Sequence, residues 1–344
     1  MNDNTYLNWV IKNTKTSWWH DSADVGELAV ALGRGAVGVT CNPYLSNLAI
    51  AKARPKGDQE IEAVIAQGLP AEQKAEALMK IAVTRCAGML LPEYQRTGGA
   101  TGYVCAQVNP SRTGDRAAML AMARRFNQWA PNIAVKLPGT LSGLDVEEDC
   151  IAEGITTTLT VSFTVPQVLA IAERHRAGIA RAKARGIKPG RCYSVIMIGR
   201  LDDYLREVAQ DAHPDVTESD IRWSGLACTK RAYQIYRERG YESELLVAAL
   251  RGPYHLTELA GADLIMSIAP GPQAWFVNND HAREERIGRE VPPDALERLR
   301  RMPEFLKGFE PEGMSPQEFI GYGVTQRTLS FFVEAGWKLL EGFK

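Results

Sequence analysis

Residues 132–160 read NIAVKLPGTLSGLDVEEDCIAEGITTTLT. Two short β-type runs, Asn132–Leu137 and Ile155–Thr160, bracket a stretch, Gly143–Glu153, with helical periodicity. Strand, helix and strand in that order specify a parallel sheet under helical cover, since parallel neighbours need a long crossover between them. The alternation continues in both directions. Upstream lie the strand candidates Ser17–Asp21, Val37–Cys41 and Tyr103–Val108; downstream lie Cys192–Ile198, Leu245–Ala249 and Leu264–Ile268. Helix-like stretches run over Pro70–Arg85, Asp115–Trp129, Thr164–Arg185, Thr229–Arg239 and His255–Ala260, several opened by the Ser, Thr, Asp or Pro that a helix start favours. Eight strands with intervening helices predict a closed (α/β)8 TIM barrel.

The 344 residues, 45% of them hydrophobic, suffice for a core of that size, and residues 1–344 are expected to form a single barrel domain. Residues 280–344 are charged and helical in pattern, broken by Pro292, Pro293, Pro303, Pro311 and Pro316. They read as a C-terminal helical extension packed on the barrel.

A formal net charge of −1 offers no field to gather nucleic acid or an anionic membrane, so neither partner is expected and a small molecule is. The basic run Arg174–Arg191 has the spacing of a wet helix face and a following turn. Cys41, Cys86, Cys105, Cys150, Cys192 and Cys228 lack C-x-x-C spacing, which argues against a metal site or redox pair. They read as reduced core residues, and no cofactor is expected. The N-terminal MNDNTYLNWVIKNTKTSWW has no sustained apolar region, from which a cytoplasmic location is expected. The oligomeric state is open, a homo-oligomer included.

Catalytic groups in such barrels sit at the C-terminal ends of the strands. There this chain places Asp21, Asn42, Gln107, Lys136, Thr160, Arg200 and Arg251. Lys136, in IAVKLP, is the sharpest candidate: an amine buried in an apolar strand is expensive to keep charged, and a neutral amine can attack a ketone. The plainer alternative is a lysine that snorkels to solvent. Asp21 fits a proton carrier at a substrate hydroxyl, or a helix cap. Gln107 and Thr160 fit the holders of a water, or a satisfied polar strand end and a β-former. Asn42 fits a hydroxyl ligand, or a turn residue before Pro43. Arg200 and Arg251 end two late strands, where two guanidinium groups can clamp a dianion; isolated salt bridges are the alternative for each.

The motifs DSAD, GVTCNP, AQVNP, IAVKLPGTLSGLDV, AEGITTTLT, IGRLDDY and RERGYESELLVAALRG resemble, in this order, those of the transaldolase family, from about Thr16 to Pro270. The resemblance implies a metal-free class I aldolase of carbohydrate metabolism, with the pentose phosphate pathway as the family's setting. It makes Lys136 the Schiff-base residue, Asp21 an acid/base and Thr160 a holder of the catalytic water. Asn42 would bind substrate hydroxyls, and Arg200 with Arg251 a phosphate. It also marks departures. Gln107 stands where typical transaldolases have glutamate and fructose-6-phosphate aldolases have glutamine. Met197 replaces a phenylalanine or tyrosine, Thr158 replaces a substrate-binding asparagine, and Ala249 replaces a serine that joins the arginines at the phosphate. Transfer of a dihydroxyacetone unit from a ketose to an aldehyde acceptor is the leading expectation. Simple aldolase release and a sugar-binding barrel without turnover are the alternatives.

Overall fold

The computed structural model describes residues 5–212, 215–278 and 280–344. Eight strands close into a ring: β1 Ser17–Asp21, β2 Val39–Thr40, β3 Val104–Gln107, β4 Ile133–Pro138, β5 Thr157–Thr160, β6 Cys192–Met197, β7 Glu244–Ala248 and β8 Ile265–Ile268. Every neighbouring pair is parallel, and β8 closes on β1 through the register Ser17 to Ile265. The barrel expected from the sequence is the one found.

Strands end where the sequence supplies a helix start. Asn42 caps the helix Pro43–Ala53 by accepting from Leu45 N at 3.0 Å, with Pro43 in the first turn, and this trims β2 to two residues. Thr164 caps Val165–Ala184 and Asp115 caps Arg116–Asn127 in the same way. Asp24 caps the helix Val25–Gly33 through Glu27 N, which leaves Asp21 free of that duty. The helix expected over Pro70–Arg85 spans Ala71–Arg96 and passes through Pro92. Packing of Tyr94 edge-on against Tyr103, at 5.2 Å, holds its last turns against the base of β3 and overrides the break that proline favours. The helix expected at His255–Ala260 is confined to Tyr254–Thr257. No helix among the described residues is long and apolar enough to cross a membrane.

Arginines of the basic run pair with acids on one neighbouring helix, Leu141–Ala152: Arg174 with Asp145 and Glu148, Arg181 with Glu148 and Asp149. His175 departs from the wet-face pattern; it is buried, with Nε2 3.3 Å from the Gly190 carbonyl. All six cysteines are free and buried.

Aromatic side chains fill the lower interior of the barrel. Trp19 on β1 and Tyr193 on β6 belong to strands that are not neighbours, so their edge-to-face contact at 4.6 Å crosses the lumen. Tyr103 joins them at 5.8 Å from Tyr193. The Trp19 indole also lies on Gly38, where a Cβ would stand 2.4 Å from the ring. This floor leaves the strand ends above it to form the site.

After β8, the helices Pro293–Leu299, Pro303–Phe309 and Gly323–Phe332 run back over the barrel. Arg298 grips Asp220 with two hydrogen bonds of 2.9 and 2.7 Å. A π-helical turn, Val333–Trp337, follows Phe332, and Gly336 rests so closely on Pro43 and Tyr44 that a Cβ would meet Tyr44 N at 2.7 Å. The tail is thereby set against the helix that Asn42 opens.

Truncating the floor removes contacts that no neighbour can replace. Trp19→Ala is expected to destabilise the fold by ~3–5 kcal/mol, read as a lower midpoint of urea unfolding followed by fluorescence.

Candidate active site

Asp21, Asn42, Lys136, Thr160, Arg200 and Arg251 line one cavity of about 320 Å³ at the C-terminal mouth of the barrel. Thr40, Met197, Ala249, Ser267, Phe331 and Phe332 are among the other residues of its wall. Gln107 and Thr158 do not open into it. They flank Lys136 at the same level of the sheet, Gln107 in register from β3 and Thr158 in register from β5.

Lys136 is 6% exposed, and its Nζ donates to the carbonyl oxygen of Cys41 at 3.2 Å. No carboxylate among the described residues forms an ion pair with it. An amine kept in a dry strand end with only a carbonyl as partner lacks the countercharge that structural buried lysines need.

A relay of hydroxyls supports the facing carboxyl group. Thr40 Oγ1 donates to Asp21 Oδ1 at 2.7 Å and stands 2.6 Å from Ser267 Oγ. Because the Thr40 proton is spent on Asp21, Ser267 is the donor in the second bond. Burial pushes the Asp21 carboxyl above the usual carboxylate range, while Lys136, Thr40 and Arg200 pull it down. Thr40 and Ser267 escaped the sequence reading because hydroxyl residues inside apolar strands look like ordinary β-formers. Their one signal was inward register at two strand ends.

On the opposite wall Thr160 Oγ1 points at Met197 Sδ, 3.8 Å away. A thioether is a weak acceptor and no donor, so this pair holds a water poorly. Gln107 Oε1 is buried without a hydrogen-bond partner among the described residues. Thr158 Oγ1 lies 3.4 Å from Cys105 Sγ inside the barrel. Backbone strain marks this side: Val161, directly after Thr160, has φ +56°, which a β-branched residue rarely adopts. Gln167 braces it, donating from Nε2 to the carbonyls of Val161 and Gly139 and accepting from Phe163 N at 2.9 Å.

The two arginines have different surroundings. Arg200 lies over the rings of Phe331 and Phe332, at 4.7 and 5.7 Å to their centroids. Burial, then the charge of Arg251, holds it below the usual guanidinium value. Arg251 is half-exposed and bonded to Asp203 Oδ2 from Nε (2.9 Å) and Nη2 (2.7 Å). Phe331 and Phe332 were not anticipated, because nothing in the tail's sequence tells which face meets the barrel mouth. Asn42 spends Oδ1 on its helix cap and also lines the cavity.

A groove of about 400 Å³ between the helices Val25–Gly33, Pro43–Ala53 and Ala71–Arg96 is larger but chemically quiet. Its Lys52 and Arg85 are paired with Asp24 and Asp58.

A parallel eight-stranded barrel that buries a lysine opposite an aspartate at its C-terminal mouth has the architecture of a lysine-dependent barrel aldolase. Comparison with known proteins agrees: the model of the Transaldolase/Fructose-6-phosphate aldolase family matches residues 18–305. The chain belongs to this family. A transaldolase of Neisseria meningitidis serogroup C (strain 053442) is 31% identical over 258 residues, 74% of this chain and 71% of the relative. A transaldolase of Neisseria meningitidis serogroup A (strain Z2491) is 31% identical over 217 residues, covering 62% of this chain and 60% of the relative. Transaldolase 2 of Nostoc punctiforme is 29% identical over 247 residues, 66% of this chain and 65% of the relative. The alignments thus leave between about three tenths and two fifths of each relative unmatched. The family match extends past Pro270 into the first helices of the tail.

The hydroxyl relay makes a spectroscopic prediction. Thr40→Val removes a hydrogen bond that favours the charged carboxylate, so the titration of Asp21, followed by carbon-13 NMR of labelled aspartate, should move to still higher pH. Ser267→Ala, one bond further away, should move it in the same direction by less.

Proposed function

We propose that this chain is a Schiff-base aldolase of the transaldolase kind, working on a ketose or ketose phosphate. The observation that carries this reading is Lys136: buried, without a carboxylate partner among the described residues, and open to a cavity that Asp21 shares. Its neutral amine adds to the ketone carbon of the donor sugar, and loss of water leaves an iminium ion. Asp21 then removes the proton of the hydroxyl two carbons away from that centre. The bond between the carbon bearing that hydroxyl and the carbon next to the iminium centre breaks, its electron pair flows toward the iminium nitrogen, and the first aldehyde departs, leaving an enamine on Lys136. The enamine carbon attacks an acceptor aldehyde, Asp21 returns the proton to the new alkoxide, and water releases the longer ketose. A carboxyl group lifted by burial suits this exchange, since its carboxylate takes up a proton more readily than an ordinary one does.

Transfer is favoured over release to water by what stands around Thr160. Protonation of the enamine needs an acid or a well-held water. Met197, the partner of Thr160 there, supplies no proton and is a weak acceptor for a water, and the Gln107 amide lies outside the cavity. An enamine so sheltered lasts until an acceptor arrives. Arg200 and Arg251 at the rim suit a phosphate on the donor or acceptor. Residues 1–344 acting as one unit, with 280–344 contributing Phe331 and Phe332 to the cavity, accords with this reading, as do a cytoplasmic setting and the absence of nucleic-acid or membrane partners.

Borohydride reduction in the presence of a panel of ketoses and ketose phosphates, with peptide mapping, tests the assignment. The adduct should map to Lys136. Lys136→Arg should fold and yield neither turnover nor adduct, because a guanidinium stays protonated. Asp21→Asn should still be trapped while its kcat falls by ~10²–10⁴-fold. An adduct on another lysine would overturn the mechanism.

A further inference from the structure

Behind the two arginines lies a buried acid–base pair that the chemistry above does not use. Asp202 sits in the first turns of the helix Ile198–Ala212, two residues after Arg200; His255 opens the short helix Tyr254–Thr257, four residues after Arg251. Both side chains are fully buried, and His255 Nε2 lies 2.8 Å from Asp202 Oδ2. The second carboxylate oxygen accepts from Ser224 Oγ at 2.8 Å and Gly225 N at 2.9 Å. The other ring nitrogen, Nδ1, stands 3.2 Å from Arg251 N.

One proton assignment satisfies every atom. A backbone N–H can only donate, so Nδ1 is the acceptor, Nε2 carries the proton, and Nε2 donates to Asp202. The chain of bonds runs from the helix that begins beside Arg200, through Asp202 and His255, to the backbone of Arg251. The loop it holds is unusual. Ala249 has φ +63°, outside the comfortable range of a residue with a Cβ. Its carbonyl oxygen accepts from Arg251 Nη1 at 2.9 Å and lies where a Cβ on Gly199 would come within 2.1 Å. Asp203, next in sequence, takes the Arg251 head group. Consecutive aspartates on one helix thus grip the loop at two points, one at its backbone and one at its guanidinium.

We infer that Asp202 and His255 are positioning residues for the anion site: they fix the Arg251 loop at the distance from Arg200 that a phosphate or other compact dianion requires, and so set the enzyme's preference for charged over neutral ketoses. The inference rests on the reading that Arg200 and Arg251 hold the anion. A merely structural pair would affect all substrates alike, whereas a positioning pair acts through one end of the substrate.

The test is the ratio of KM for a ketose phosphate to KM for the same ketose without phosphate. Asp202→Asn keeps size and shape, yet whichever way the amide is turned its NH2 group faces a donor, either Nε2–H or Gly225 N–H. It should raise the ratio about tenfold, the loss falling on KM rather than kcat. His255→Asn can keep an acceptor near the place of Nδ1 and should raise the ratio less than His255→Leu, which keeps none. Arg251→Ala, measured alongside, tests the underlying reading. A ratio unmoved by Arg251→Ala would remove the anion site itself. A ratio raised by Arg251→Ala but left at the parent value by folded Asp202→Asn or His255→Leu, as judged by circular dichroism, would overturn the positioning role. Should Asp202→Asn not fold, the order of the two His255 variants decides: equal ratios overturn the inference.

Discussion

A primary amine held inside a closed ring of strands, with a carbonyl as its hydrogen-bond partner and no acid bonded to it, constrains everything around Lys136. A full carboxylate contact would hold the amine in an ion pair and end its use as a nucleophile. Asp21 therefore has to be near without bonding to it. The arrangement meets this by engaging Asp21 with Thr40, and Thr40 with Ser267, so that the acid is oriented from β2 and β8. The barrel supplies that geometry cheaply, because neighbouring parallel strands in fixed register bring their ends to a common rim.

The fold was readable because its signal is repetitive. Several strands are short apolar runs that stop at a polar residue, and helix-starting side chains follow three of them: Asn42 after β2, Asp115 after β3 and Thr164 after β5. Pro92 shows the limit: local preference says break, and the distant packing of Tyr94 on Tyr103 says continue. The site was readable in part for the same reason. Strand-end residues that chemistry singles out, such as Lys136 and Asp21, announce themselves by being costly where they stand. Thr40 and Ser267 do not, since a hydroxyl inside a strand costs little once bonded. Asp202 and His255 lie beyond local reasoning altogether, as they meet only after the two helices and one strand between them have been placed.

The tail illustrates how a loosely patterned segment acquires a specific role. Its prolines divide it into short helices whose partners no periodicity can name, yet Phe331 and Phe332 end against Arg200 and Gly336 fits against Tyr44. A cation on an aromatic face is attracted without being neutralised, so Arg200 keeps its charge available to the cavity. Arg251 is restrained differently, by Asp203, and the two arginines thus meet the solvent with unequal freedom.

Trp19, Tyr103 and Tyr193 give the barrel a stopped base. A vessel closed below is filled and emptied through the same neck. For the transfer proposed above, both aldehydes would then use one doorway, the first leaving before its replacement enters, while the covalent enamine on Lys136 holds the place between them.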